Sequence, residues 1–226
     1  NETILARRYA VDLAIRHGIQ FDYKNARHSA TQRFVDHYLL ANGKPVSSKA
    51  GYQNMSYAEQ FKDRDPRLAQ TIQGPDYIAA GESEHEVLSW ERTLSGYRII
   101  KFISDSSHEG ATTSTTDYPV FRYAEVLLNY AEAKAELGEL TKADVNATID
   151  LLRARVGMTK MGDVPADIDP MMEEYYPNAK GSQKAAILEI RRERTVELFS
   201  EGFRQWDLLR WGEGKWLCPS ATGGFK

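Results

Sequence analysis

Residues 118–138 read YPVFRYAEVLLNYAEAKAELG, and this stretch decides the fold class. Its polar side chains recur at steps of three and four residues and form one narrow stripe: Arg122, Glu125, Asn129, Glu132 and Glu136. The rest of the circumference is apolar. The pattern therefore predicts a helix that starts near Asp117 and Pro119, ends at Gly138 and packs on more than one side.

A second helix is predicted after a short turn. Thr141 with Asp144 resembles a capping box, and Gly157 marks the end of the helix. Its inward positions are Val145, Ile149, Leu152 and Val156. Two antiparallel helices with a short joint form a helical hairpin, which is the unit of tetratricopeptide-like solenoids.

The chain beyond this hairpin starts with an aperiodic stretch. Residues 158–181 contain Gly, Pro, Asp and Met and are predicted to form a loop that carries Tyr175 and Tyr176. Ser182 opens a long helix that either continues through Gly202 or breaks there. Residues 119–157 and 182–212 are thus the predicted helical scaffold.

The chain before residue 119 has a different character. Glycines and prolines interrupt every periodic pattern in residues 19–118, which predicts a loop-rich region. Within it we expect a helix over 32–41, a short helix capped by Asp65 with Pro66 in its first turn, and a strand over 96–103. Apolar residues at steps of three and four predict a further helix over 4–17.

Composition agrees with an ordinary folded protein. The 226 residues are 42% hydrophobic and 11% aromatic, which is enough to build a sizeable core. Lys+Arg 29 against Asp+Glu 32 gives a net charge of −3, so no nucleic-acid partner is expected. The predicted fold is mainly α: one domain over 1–226, with a tetratricopeptide-like helical hairpin scaffold, a large loop-rich region and few short strands.

Residues 182–214 hold a balanced cluster of acidic and basic side chains. Arg194 falls in the apolar stripe, four residues from both Ile190 and Leu198, and a buried guanidinium there requires a partner. The favoured interpretation is a structural ion-pair network that includes Arg191, Arg194, Glu193 and Glu197 and reaches Glu125 or Glu132. The rival interpretation makes Glu193 and Glu197 a catalytic carboxylate pair, as in a glycoside hydrolase.

Other catalytic and metal-binding patterns are missing from the sequence. It has no glycine-rich phosphate loop, no His-Glu-x-x-His and no Gly-x-Ser-x-Gly. Its one cysteine, Cys218, cannot form an internal disulfide and cannot hold zinc alone. We therefore expect no catalytic residues, no metal ligands and no cofactor, while oxygen-ligated Ca²⁺ stays open because it leaves no spacing signal outside special loops.

Aromatic residues with polar neighbours are the most informative feature of the loop-rich region. An aromatic ring covers the C–H face of a sugar, and nearby polar groups bind its hydroxyls, although peptides suit the same chemistry. The candidate ligand-binding residues are Trp90, Tyr77, Tyr97, Tyr57 and Arg92.

Four stretches together resemble the SusD/RagB family of outer-membrane nutrient-binding lipoproteins of Bacteroidetes. They are TQRFVDHYLLANGKP at 31–45, FKDRDPRL at 61–68, YPVFRYAEVLLNYAEA at 118–133 and ILEIRRERTVELFSEGFRQWDLLRWG at 187–212. Members are typically about twice as long, and their N-terminal half supplies most of the helices and the lipidated cysteine. The resemblance is therefore to the C-terminal portion, and Cys218 is in the wrong place to be the anchor.

The resemblance implies a function. It implies a non-catalytic protein on the outer-membrane surface that binds oligo- or polysaccharide and delivers it to a SusC-like TonB-dependent transporter. The lipid anchor would lie outside this chain. Two alternatives remain besides the hydrolase: a tetratricopeptide-like scaffold for another protein, and a lid that binds peptide.

Overall fold

The structure is a computed structural model that describes residues 2–217. Cys218 lies outside the described residues. The strands and helices follow in chain order as β1 (Thr3–Arg7), α1 (Ile19–Asn25), α2 (Gln32–Val35), α3 (Tyr57–Phe61), α4 (Pro66–Thr71), β2 (Tyr118–Arg122), α5 (Tyr123–Glu136), α6 (Lys142–Ala147), α7 (Ile149–Arg155), α8 (Pro170–Tyr175), α9 (Lys184–Glu197) and α10 (Arg204–Arg210). Single 3-10 turns occur at Val46–Ser48, Tyr52–Asn54, Ser106–His108 and Gly214–Trp216.

The predicted fold class is confirmed. Helices dominate the second half of the chain, and the described residues contain one two-stranded sheet, in which β1 pairs antiparallel with β2. Backbone contacts divide the chain into two units. The first is Asn1–Ala124 with Arg155–Thr159, and the second is Glu125–Ala154 with Lys160–Lys226.

The core of the first unit forms around Tyr38, which is fully buried. Its hydroxyl lies 2.6 Å from the hydroxyl of Thr71 on α4. Arg64 supports the same core, because its guanidinium donates to the backbone carbonyls of Val35 and Tyr38 at 2.9 and 2.8 Å. Burial lowers the pKa of Arg64 to about 10.

The predicted cap of α4 is confirmed. The Asp65 carboxylate accepts from the backbone N–H of Arg67 at 3.0 Å, and Pro66 occupies the first turn. The Arg67 guanidinium also pairs with Asp65, at 2.7 Å. The segment 61–68 therefore serves the core of the first unit.

The second unit has its own core of apolar helix positions. Its fully buried side chains include Leu128, Ile149, Met172, Ile187 and Ile190. The predicted capping box is confirmed: Thr141 and Asp144 exchange hydrogen bonds at the start of α6. Gly138 and Gly157 both have positive φ, as helix-ending residues often do.

Two helix predictions were wrong at the ends of the first unit. Residues 4–17 do not form a helix, because residues 3–7 pair with residues 118–122 instead. The helix predicted from 117 begins only at Tyr123, since Pro119 and the apolar residues after it enter the strand. Local periodicity could not predict these strands, because each depends on a partner strand that is distant in sequence.

The other differences are interruptions of a predicted element. The helix predicted over 32–41 ends at Val35, and 96–103 makes isolated bridges, such as Ile72 with Ile99, rather than a strand. The second hairpin helix is divided at Thr148, whose hydroxyl donates to the carbonyl of Asp144 at 2.6 Å.

The chain after 157 also differs in detail. The predicted loop 158–181 contains α8, capped by Asp169. The long helix starts at Lys184 and breaks after Glu197. The break contains Ser200 and Gly202, both at positive φ, so the second of the two predicted outcomes at Gly202 is the one observed.

Candidate ligand-binding loop

Residues 74–97 form a loop of the first unit, here called the Trp90 loop. The residues on either side of it have buried side chains. Gln73 precedes the loop and Arg98 follows it. The backbone N–H of Gln73 donates to the carbonyl of Arg98 at 2.9 Å, and the Arg98 guanidinium donates to the Gln73 side chain at 3.0 Å. The base of the loop is therefore closed by backbone and side-chain hydrogen bonds.

Glu86 organises the interior of this loop. Its carboxylate accepts from Arg92 at 2.7 Å and from Arg98 at 2.6 Å, and its backbone carbonyl accepts from the Gln73 side chain at 2.8 Å. Its backbone N–H donates to the carbonyl of Tyr77 at 2.9 Å. One carboxylate thus ties both arms of the loop to its base.

Trp90 is the most accessible aromatic side chain of the loop, at 69% exposed. It packs over Gly96, where a Cβ would lie 3.6 Å from the ring, and Gly96 has a φ of +85°. One edge of its ring therefore lies beside the Gly96 backbone, while most of its surface is exposed. Other exposed apolar side chains in the loop are Ile78, Val87 and Leu94.

Tyr57 and Tyr97 are held in the packing instead. Tyr97 is only 7% exposed, and its hydroxyl lies within hydrogen-bonding reach of the side-chain oxygens of Gln32 and Gln60, either of which can accept its one hydrogen. The Tyr57 hydroxyl donates to the carbonyl of Gln73. Burial, with a contribution from Tyr97, raises the pKa of Tyr57 to about 12. Both hydroxyls thus have partners within the first unit.

Tyr77 and Arg92 lie between these extremes. Tyr77 is half-buried, and burial followed by the charge of Glu86 raises its pKa. Arg92 is partly exposed while it pairs with Glu86. The structure therefore places Tyr77 and Arg92 beside Glu86, and Tyr57 and Tyr97 at the base of the loop. Trp90 is outermost.

Sequence reasoning missed the residues that hold this arrangement together. Gln73, Glu86 and Arg98 contact one another over separations of 12 to 25 positions. No local pattern signals such contacts, because each residue alone has the composition of an ordinary polar loop.

The charged cluster of the second unit is a set of buried ion pairs. Arg194 pairs with Asp207 at 2.8 Å and donates to Asn129 at 2.8 Å. Arg153 donates to Glu193 at 3.0 Å and to Glu189 at 2.7 Å. Each of these cations has a carboxylate partner on another helix.

Arg191 and Glu132 extend the cluster. Arg191 pairs with Glu136 at 3.2 Å and lies 4.9 Å from the centre of the Trp211 ring. Glu132, one of the two carboxylates expected to join the network, accepts from the Trp211 indole at 2.7 Å and pairs with Arg210. Glu193 and Glu197 are both buried. A substrate would therefore not reach them without opening the core, which disfavours the carboxylate-pair interpretation.

Within residues 2–217, the structure has neither a metal-binding cluster nor a membrane-spanning helix. No group of three or more His, Cys, Asp or Glu side chains converges there in a way that would hold a metal ion. None of the helices in that range has the length and apolar character needed to cross a bilayer.

The chain is similar to one known protein family and to several solved structures. The pattern of the SusD family matches residues 14–223. No curated protein matches the chain in sequence.

Several solved structures are similar to it. A SusD-like carbohydrate binding protein from Bacteroides fragilis NCTC 9343 has 23% identity and a TM-score of 0.68, over 96% of this chain and 42% of that one. A second SusD-like protein from the same organism has 21% identity and a TM-score of 0.61, over 94% and 43%. A SusD superfamily protein from Bacteroides vulgatus ATCC 8482 has 18% identity and a TM-score of 0.53, over 95% and 41%.

These alignments mean that the chain spans less than half the length of the solved relatives it matches. The shared part runs through almost all of the present sequence, and it includes both the loop-rich region and the helices. This chain belongs to the SusD family.

Proposed function

We propose that this chain is part of a non-catalytic glycan-binding protein at the outer-membrane surface. In this proposal it binds an oligo- or polysaccharide and passes it to a SusC-like TonB-dependent transporter. Family membership supports the class of function, and one similar structure is described as carbohydrate binding. The lipid anchor and the remaining contacts with the transporter would lie outside these residues.

The exposed face of Trp90 is the observation that carries the proposal. Its ring lies beside Gly96, in a loop where Glu86 pairs with Arg92 and Arg98. An exposed aromatic surface can cover the C–H face of a sugar ring. Arg92 and Tyr77 supply nearby polar groups for hydroxyls.

Calorimetry with this chain tests the proposal. The panel consists of amylopectin, xylan, inulin and hyaluronan, with a tryptic digest of casein as the peptide probe. We expect measurable binding to at least one polysaccharide, and we expect Trp90→Ala to weaken it about tenfold, or ~1.4 kcal/mol. Trp206→Ala is the matched control, because Trp206 is equally exposed but lies in the second unit.

The outcomes separate the candidates. Equal binding by Trp90→Ala and the unaltered chain would reject the Trp90 loop as the site. Release of reducing sugar from any polysaccharide would reject a non-catalytic role.

A peptide cargo is the second candidate. The side chains of Val87 and Leu94 are exposed on the same loop and offer apolar contact that sugar hydroxyls do not use. Binding to the casein digest alone, lost in Trp90→Ala, would favour this candidate over glycan.

A further inference from the structure

Arg27 lies beside the Trp90 loop although it is distant from it in the sequence. Its Nε donates to the backbone carbonyl of Glu91 at 3.1 Å, and Glu91 directly follows Trp90. The contact continues after Arg27, because the backbone N–H of Ala30 donates to the carbonyl of Tyr97 at 2.9 Å. The Arg27 guanidinium is therefore held against the same loop that carries the exposed Trp90 ring.

Ser29 fixes the backbone next to Arg27. Its hydroxyl donates to the carbonyl of Arg27 at 2.8 Å and accepts from the backbone N–H of Leu94 at 2.9 Å. The same hydroxyl lies 2.9 Å from that of Thr93. The position of Arg27 against the loop is thus set by hydrogen bonds in which its own guanidinium takes no part.

The backbone of Arg27 is left-handed, with a φ of +55°. The residue follows the C-terminal end of α1, where the backbone N–H of Ala26 donates to the carbonyl of Asp22 at 2.8 Å. Glycine adopts this conformation most easily, and a side chain with a Cβ makes it less favourable. An arginine at this position does not improve the end of the helix, which indicates that the guanidinium has another role.

The outer edge of this guanidinium is free. The Glu91 carbonyl uses Nε, whereas the two terminal amino groups have no hydrogen-bond partner within residues 2–217, and the side chain is exposed. Two amino groups in one plane match a pair of neighbouring oxygen atoms on a ligand. Arg92 differs in this respect, because its guanidinium already pairs with Glu86 at 2.7 Å.

The charge of the loop favours an uncharged ligand. Residues 74–97 contain five carboxylates against one basic side chain, which gives a net charge of −4 with histidine neutral. Four of the carboxylates are exposed and make no hydrogen bond or ion pair within residues 2–217: Asp76, Glu82, Glu84 and Glu91. A polyanion would be repelled here. Sugar hydroxyls fit better, since they can both donate to carboxylates and accept from a guanidinium.

We propose that Arg27 is a second ligand-contacting residue at the Trp90 loop. Its terminal amino groups donate to two neighbouring hydroxyls of an uncharged sugar residue whose C–H face lies against Trp90. This inference rests on the proposed glycan-binding function, and it adds that the ligand class is a neutral glycan.

Two substitutions separate ligand contact from structural support. Arg27→Gly removes the guanidinium and relieves the left-handed backbone, while Arg27→Lys keeps the charge but lacks the planar pair of amino groups. Arg16→Ala is the control, because Arg16 is an exposed arginine of the same unit with no hydrogen bond or ion pair within residues 2–217. Each variant is titrated by calorimetry with amylopectin, xylan and inulin, and with the carboxymethyl derivative of each.

We expect Arg27→Gly to weaken binding of the neutral polysaccharide about tenfold, with a Tm equal to or above that of the unaltered chain. Arg27→Lys should weaken binding less, and Arg16→Ala should leave it unchanged. The carboxymethyl derivative should bind more weakly than its parent. Added sodium chloride should reduce this difference, because it screens the carboxylates of the loop.

Each contrary result has a separate meaning. Equal affinity of Arg27→Gly and the unaltered chain would overturn the role of Arg27 and leave the proposed function intact. Weaker binding with a lowered Tm in Arg27→Gly would make Arg27 a structural residue. A carboxymethyl derivative that binds more tightly than its parent, with the gain lost in Arg27→Gly, would overturn the neutral ligand class. An unaltered chain that binds none of these polysaccharides would reject the proposed function and this inference with it.

Discussion

The Nε of Arg194 donates to both carboxylate oxygens of Asp207, at 2.9 and 2.8 Å, across the break that separates α9 from α10. Both side chains are buried. The same carboxylate also accepts from Arg210 at 2.9 Å. Asp207 therefore neutralises a charge inside the second unit and fixes the direction in which the chain continues after the break.

We expect Asp207→Asn to destabilise the second unit by about 3–5 kcal/mol, because the Arg194 guanidinium would stay buried without a counter-charge. Urea unfolding followed by circular dichroism measures the change. The double variant Arg194→Met with Asp207→Leu is the control, and it should recover much of the loss. A single variant as stable as the unaltered chain would show that the pair contributes nothing.

The Glu132 carboxylate should make stability depend on pH in the acidic range. Burial alone would raise its pKa, but the hydrogen bond and charge of Arg210 and the bond from the Trp211 indole outweigh burial and lower it. A carboxyl with a lowered pKa in the folded state stabilises the fold above its unfolded pKa, and this contribution disappears as pH falls through the folded pKa. The unfolding free energy should thus fall as the pH drops below about 4.5, the ordinary value for glutamate.

Urea midpoints measured at a series of pH values check this dependence. Glu132→Gln should be less stable at neutral pH and should flatten the acidic part of the curve. Glu139→Gln is the control, since Glu139 is largely exposed and makes one long contact with Lys134 at 3.4 Å. Parallel curves for Glu132→Gln and the unaltered chain would contradict the role given to Glu132.

Gly138 and Gly157 both have a left-handed backbone, so alanine substitutions at the two positions can be compared for their effect on stability. Their φ values are +74° and +71°. A Cβ at Gly138 would collide with the Ser182 hydroxyl, whereas a Cβ at Gly157 would meet nothing within 4 Å. We expect Gly157→Ala to cost about 1 kcal/mol from backbone strain alone, and Gly138→Ala to cost more.

Thermal unfolding measures the stability of the two single variants and of the double variant Gly138→Ala with Ser182→Ala. The comparison isolates the loss caused by the clash between the new Cβ and the Ser182 hydroxyl. The double variant should return to the level of Gly157→Ala. Equal losses in the two single variants would show that Ser182 moves aside freely.

Tyr97 should contribute to stability rather than to ligand contact. Tyr97→Phe removes the hydroxyl that bonds Gln32 and Gln60, at a cost of about 1 kcal/mol. In the folded variant, the affinity for a glycan bound by the unaltered chain should change less than twofold, in contrast to Trp90→Ala. A tenfold weakening with an unchanged Tm would instead place Tyr97 in the ligand contact.

The sequence predicted the elements whose determinants are local. The polar stripe of α5, the Asp65 cap with Pro66 and the box formed by Thr141 and Asp144 all act within one or two turns. The strand β1 escaped prediction because its partner is more than a hundred residues away, and a short apolar stretch is compatible with both helix and strand.

The candidate site shows the same limit. Composition selected Trp90 and its polar neighbours, and burial then separated it from Tyr97, which has equal aromatic character but little exposed surface. The ion-pair partners could not be predicted from the sequence either. Several carboxylates lie near Arg194 in the sequence, and only the packing of the helices selects Asp207.

The pairing of β1 with β2 also affects the order in which the protein folds. Thr3 pairs with Arg122, so nearly all of the first unit lies between the two strands. During synthesis, β1 leaves the ribosome long before its partner exists, while the helices of the second unit depend on contacts nearer in sequence. Pairings of such high contact order form late, and the ribbon is therefore expected to close after the helices have formed. Until then, the exposed backbone edge of β1 is open to pairing with other chains, which makes this strand a place where chaperones would matter.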